Sequence, residues 1–198
     1  PVAMSMPHRL LRWLPALLVA AINCLAAVDD GPPRPNILFV LGDDWGWPYA
    51  SCLGTPVVQT PHFDRVAREG VLFRNAHVAA PSCSPSRAAI LTGQWHWRLE
   101  QGAILRGDVA VRFPVYPEIL ERAGYYIGQH GKGYSPKDRD APSRNMAGRN
   151  FPNLGAFLSS RPKGQPFCFW LGEWKPHRPY QAGAGLKSGF DPEIGRAH

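Results

Sequence analysis

The sequence predicts an α/β fold, a mostly parallel central sheet with helices on both faces. Three observations carry this. Residues 36–41 and 166–171 are unbroken apolar runs of strand length, the pattern of strands buried on both faces. Helical stretches with their own start and stop signals lie between them. Polar clusters follow the strands, at Asp43-Asp44, at Gly131-Lys132 and over 173–177, where α/β sheets bind their ligands.

The elements follow in order. The first strand covers 36–41 and stops at Gly42-Asp43-Asp44. Thr60-Pro61 opens a helix with a cap residue and a first-position proline, and Gly70 closes it. Residues 71–73, Val-Leu-Phe, predict a short strand. Residues 81–85 predict a loop, and 86–91 a helix ended by Thr92-Gly93. Residues 117–123 predict another short helix, closed by Gly124. A strand over 125–127 then leads into a Gly-rich loop reaching Gly133, and 166–171 is the last strand.

Composition sets outer limits. The chain has 198 residues, 44% hydrophobic and 19% charged, which is globular rather than disordered usage. After residue 30 no apolar run approaches the roughly 18 residues of a membrane span, so no stable membrane anchor is expected. The net charge of +7 falls wholly after residue 121. Its basic residues are scattered among Gly and Pro without a stripe or cluster, so no nucleic-acid partner is expected. An anionic small substrate suits the bias better.

The amino-terminal end reads as a secretory signal peptide over 1–27. Arg9 and Arg12 give a basic start, 14–27 an apolar stretch, and Cys24 and Ala26 the small residues of a cleavage site. Residues 28–35 are a Pro-rich lead-in. Export to the periplasm or the extracellular space follows. It leaves Cys52, Cys83 and Cys168, an odd number, so at least one is a free thiol or pairs outside the chain.

Asp43-Asp44 places two carboxylates at the end of a buried strand. Adjacent like charges resist ionisation unless a cation lies between them. Oxygen ligands suit a hard divalent ion, Ca2+ before Mg2+. A solvated turn is the plain structural alternative. The most specific stretch is Cys83-Ser84-Pro85-Ser86-Arg87, followed by a small-residue helix and Thr92-Gly93.

Cys-x-Pro-x-Arg trailed by that helix and Thr-Gly resembles the motif of the sulfatases, whose Cys is oxidised to formylglycine. Other segments agree with it in order. Arg34 to Asp44 resembles the family's first strand and metal pair, and Thr60 to Gly70 its next helix. Tyr116 to Tyr125 with Gly131-Lys132-Gly133 resembles the segment bearing a sulfate-binding Lys. Pro176-His177-Arg178-Pro179-Tyr180 resembles the one bearing a substrate His. The motif order is similar to that of bacterial sulfatases related to heparan N-sulfatase.

The resemblance implies an alkaline-phosphatase-like sandwich and hydrolysis of sulfate from a sulfated carbohydrate. Residue 83, as formylglycine, is then nucleophile and metal ligand, and Asp43 and Asp44 hold the divalent cation. Arg87 fixes the formylglycine hydroxyl. Lys132 and His177 contact sulfate, with His177 protonating the leaving group. A formylglycine-generating enzyme is implied as a partner in maturation. Two departures stand out. Where the family has a His two residues after the Lys, this sequence has Tyr134; His130 is a possible substitute. The family's later Asp-Asn or Asp-His metal pair, further Lys and smaller carboxy-terminal domain do not occur in the sequence. Residues 36–198 are therefore expected to form an incomplete, amino-terminal part of a sulfatase catalytic domain. A catalytically inactive sulfatase-like fragment and a phosphodiester or phosphonate hydrolase of the same superfamily are the alternatives.

His62, His77 and His96 lack metal-like spacing and read as structural or surface residues. Trp45, Trp47, Trp95 and Trp97 fit either a sugar-binding rim or core packing.

Overall fold

The structure is a computed structural model that describes residues 34–134, 144–177, 181–183 and 187. The signal peptide expected over 1–27 and most of the lead-in over 28–35 lie outside the described residues. So do Arg178, Pro179 and Tyr180.

Three strands form one parallel sheet in the order β1-β3-β2: β1 (Ile37–Asp43), β2 (Tyr126–Gly131) and, between them, β3 (Phe167–Pro176). Ile37 pairs with Cys168 and Tyr126 with Phe167, so all three strands start level. The central strand opens on an unbroken apolar run, Phe167 to Leu171, as a strand covered on both faces requires. Four helices are described: α1 (Pro61–Glu69), α2 (Cys83–Thr92), α3 (Tyr116–Arg122) and α4 (Leu154–Ser160).

Alternation along β3 divides the core between the two faces. Trp170 packs with Ala88 and Leu91 of α2 and with Leu99, Val109 and Val115. Cys168, on the same face, meets Tyr116 and Leu120 of α3. Phe169 turns to the other face and joins Phe151 and Phe157, the latter from α4. Helices therefore cover both faces, as expected. The cover is uneven: on the α4 face, Leu38 and Val40 of β1 stay 48% and 57% exposed.

Three expectations need correction, and one helix adds to them. Residues 71–73 form no strand; Val71 and Phe73 are 78% and 76% exposed and lie beside no pairing partner. The second helix starts at Cys83 instead of residue 86, because Pro85 falls in a first turn that does not need its N–H. The strands β2 and β3 run on to Gly131 and Pro176, through polar residues whose backbones still pair. Finally, α4 was not expected at all. The four tryptophans are exposed rather than core, Trp95 and Trp97 stacked on one another at 4.8 Å. No helix of the described residues is long and apolar enough to cross a membrane.

Candidate active site

The site is built where the sheet's strands end. A register shift between Gly42 and Asp43 releases β1 from regular pairing and leaves Asp43 only 4% exposed. Asp44 follows at φ 60°, a left-handed conformation that Asp tolerates better than most residues. The two adjacent carboxylates thereby part company: Asp43 turns beneath the site and Asp44 lines its cleft.

Burial of Asp43 pushes its carboxyl pKa up. Two cations more than offset this and hold it below the ordinary 3.8. The Lys132 ammonium pairs with one oxygen. Arg87 Nη2 donates to the other at 3.2 Å. Arg87 itself is 3% exposed, carried inward on the second turn of α2 by the small residues that let that helix sit close to the sheet.

Backbone contacts fix Lys132. Its N–H donates to the Gly172 carbonyl at 2.7 Å. Its own carbonyl accepts from Trp170 Nε1 at 3.0 Å and Arg87 Nη1 at 2.5 Å. This closeness needs glycine on both strands. A Cβ at Gly131 would lie 2.1 Å from the Gly172 oxygen, and one at Gly172 would lie 2.0 Å from the Lys132 oxygen. His177, just past β3, has Nε2 at 3.9 Å from carboxylate oxygens of both Asp43 and Asp44.

Above these residues opens a cleft of about 810 Å3. Cys83, Asp44, Arg87, Lys132 and His177 all line it, and Asp43 touches three of them from below. The structure thus brings together all six residues singled out from sequence. Cys52, Cys83 and Cys168 are free thiols. His130 does not line the cleft; its Nδ1 lies 2.8 Å from the Phe151 carbonyl. The Tyr134 hydroxyl donates to the Gly107 carbonyl at 2.6 Å.

Sequence reasoning missed several residues of the cleft wall, Trp174, Gln129 and Arg106 among them. Trp174, near the end of β3, has its ring centred 5.3 Å from the Lys132 ammonium and lay unremarked within the polar cluster over 173–177. Gln129 is 7% exposed, with Nε2 bonded to Asn145 and Oε1 without a partner. Arg106 comes from a loop with no local motif. As to a cation, the donor chemistry fits: Asp44 opens to the cleft, Asp43 adjoins it, and residue 83 shares it. Among the described residues no group of three His, Cys, Asp or Glu forms a complete cage.

The protein-family model described as Sulfatase matches residues 35–169. An N-acetylgalactosamine-6-O-sulfatase of Bacteroides thetaiotaomicron is 37% identical over 139 residues, covering 65% of this chain and 27% of that protein. An N-acetylglucosamine-6-O-sulfatase of the same organism is 29% identical over 206 residues, covering 88% of this chain and 36% of that protein. The chain therefore spans only about a quarter to a third of the curated relatives it matches. A protein solved in complex with its substrate D-glucosamine-2-N,6-O-disulfate superposes with a TM-score of 0.63 at 24% identity, over 79% of this chain and 38% of that one. That likeness places the sheet and its helices in the alkaline-phosphatase-like α/β class. With most of its length under the family model, the chain belongs to the sulfatase family.

Proposed function

We propose that the protein containing this chain is a sulfuric ester hydrolase that removes sulfate from a sulfated carbohydrate. The observation that carries the reading is the convergence of Arg87, Lys132 and His177 on one buried carboxylate beside a cleft lined by Cys83. A sulfate ester needs a strong nucleophile at sulfur and positive charge around its oxygens. The site offers both in one place.

In this proposal Cys83 is oxidised to formylglycine by a formylglycine-generating enzyme. The modified residue supplies a hydrated aldehyde, one hydroxyl to attack sulfur and a second to expel the sulfate afterwards. Asp43 and Asp44, with residue 83, would hold a divalent cation, Ca2+ before Mg2+, whose charge would favour ionisation of that hydroxyl. Arg87 is pinned by its bonds to Asp43 and to the Lys132 carbonyl, so it meets the residue 83 hydroxyl in a fixed orientation. Lys132 and His177 bind the sulfate oxygens. His177 gives its Nε2 proton to the leaving oxygen as the sulfur–oxygen bond breaks. The protein acts outside the cytoplasm, in the periplasm or beyond.

The test is to co-express the full-length protein with a formylglycine-generating enzyme and digest it for mass spectrometry. The peptide holding residue 83 is expected as the aldehyde, and the protein is expected to release sulfate from a 6-O-sulfated N-acetylhexosamine. Cys83→Ala is expected to abolish release. Unmodified Cys83 throughout, or turnover of aryl phosphonate monoesters in preference to sulfates, would overturn the reading.

A further inference from the structure

A turn at the cleft wall carries an arginine in a position that disfavours it. Gly107 N–H donates to the Ile104 carbonyl at 3.1 Å, closing a four-residue turn over 104–107. Arg106 is its third residue, with φ 61°. A positive φ at that place belongs to Gly or Asn, and a long side chain there is strained. Strain of this kind persists only where the surroundings hold it.

They do hold it. A Cβ on Gly107 would lie 1.6 Å from the Gln101 oxygen, so the turn is pressed onto the neighbouring backbone. The Gly107 carbonyl accepts the Tyr134 hydroxyl. The Arg106 N–H reaches Ser84 Oγ at 3.5 Å, tying the turn to the residue after Cys83.

The charges of the cleft point the same way. Arg87 and Lys132 both pair with Asp43, and Lys132 with His177 is already assigned to the sulfate that is cleaved. His177 lies near Asp43 and Asp44. Among the described residues, the Arg106 guanidinium has neither an ion pair nor a side-chain hydrogen bond, though it lines the same cleft. The cleft's volume of about 810 Å3 exceeds what one sulfate group fills. A guanidinium is a planar fork matched to carboxylate and sulfate oxygens.

We propose that Arg106 anchors a second anion subsite, so that the substrate is a sugar bearing another acidic group beside the sulfate that is cleaved. That group is a carboxylate or a second sulfate. The proposal rests on reading the cleft as the sulfatase site and narrows the substrate within it.

Its test measures binding without turnover, in the full-length protein with Cys83→Ala. Calorimetry compares N-acetylglucosamine-6-O-sulfate with two ligands of two acidic groups: D-glucosamine-2-N,6-O-disulfate and a disaccharide joining a uronic acid to the 6-O-sulfated sugar. At least one two-anion ligand is expected to bind about tenfold or more tightly than the one-anion ligand. Which of them does so identifies sulfate or carboxylate as the second group. Arg106→Gln is expected to shrink that preference to about twofold or less, and Arg106→Lys to keep part of it. Arg106→Gly is expected to lose the preference while raising Tm, since it relieves the strained φ. Equal loss of affinity for all three ligands with Arg106→Gln, or no change for any, would overturn the proposal. Turnover by the Cys83 protein decides the sulfatase reading separately, because the affinity ratio needs no chemistry.

Discussion

Arg87 is hydrogen-bonded to the main chain of Lys132: its Nη1 donates to the Lys132 carbonyl at 2.5 Å while Nη2 reaches Asp43 at 3.2 Å. The two cations that balance Asp43 are therefore tied to each other as well. Arg87→Ala removes a buried charge partner and leaves a buried carbonyl with one donor fewer. The expected loss is about 3 kcal/mol in urea unfolding. Arg87→Lys is expected to recover less than half, since a single ammonium does not reproduce the fork that bridges carboxylate and carbonyl.

The same pair sets an acid limit. Despite its burial, Asp43 titrates below 3.8 in the folded chain, because Lys132 and Arg87 favour its charged form. A depressed carboxyl contributes stability that is complete above the unfolded value and lost as pH falls through the folded one. Stability against urea is expected to fall as pH drops below about 4. Asp43→Asn should be less stable at pH 7 and should lack that share of the acid loss. An identical acid profile in the two proteins would count against Asp43 as its source.

Gly131 and Gly172 let the ends of β2 and β3 come within van der Waals limits that no other residue satisfies. Gly172→Ala is expected to displace the Lys132 backbone rather than fit beside it. Sulfate release should fall at least tenfold in the full-length protein, with a Tm loss of several degrees. Gly46→Ala, whose Cβ meets nothing within 4 Å, is the control for replacing a glycine without a clash.

Burial pushes the Cys168 thiol up to about 11, the Tyr116 hydroxyl offsetting only part of it. A thiol raised in this way stabilises the fold below its unfolded value of 9.0, and that contribution is lost as pH rises from there toward 11. At pH 8, iodoacetamide is expected to modify the half-buried Cys83 readily, to modify Cys52 more slowly because burial and the Asp64 carboxylate raise its thiol, and to spare the buried Cys168. Peptide mapping before and after unfolding in urea checks this.

Much of the site was legible because its residues sit on regular elements next to strong local signals. Asp43 ends an apolar strand, Arg87 follows Cys83 by one helical turn, and Lys132 follows a strand pair's glycine. Arg106 and Gln129 were not legible. Arg106 owes its place to a turn pressed on Gln101, and Gln129 is a polar residue inside a strand, where apolar patterning gives no warning. The fold divides likewise. Residues 166–171 announced a buried strand. Residues 71–73 carried the same signal falsely, since no neighbour pairs with them. The helix α4 is only seven residues long, and its one local cue is Asn153, whose side chain accepts the Ala156 N–H at 2.7 Å.

The uncovered face of β1 governs how the chain behaves in the test tube. Phe39 and Leu41 turn toward Trp170, while Leu38 and Val40 look outward, and among the described residues nothing pairs with that strand's outer edge. Such a strip is a template for another copy's strand or a chaperone's groove. Self-association of the chain is thus expected to grow with concentration, a change that light scattering over a dilution series would show. A charge at the Val40 position, 57% exposed beyond the reach of α4, is a direct way to keep the chain dispersed.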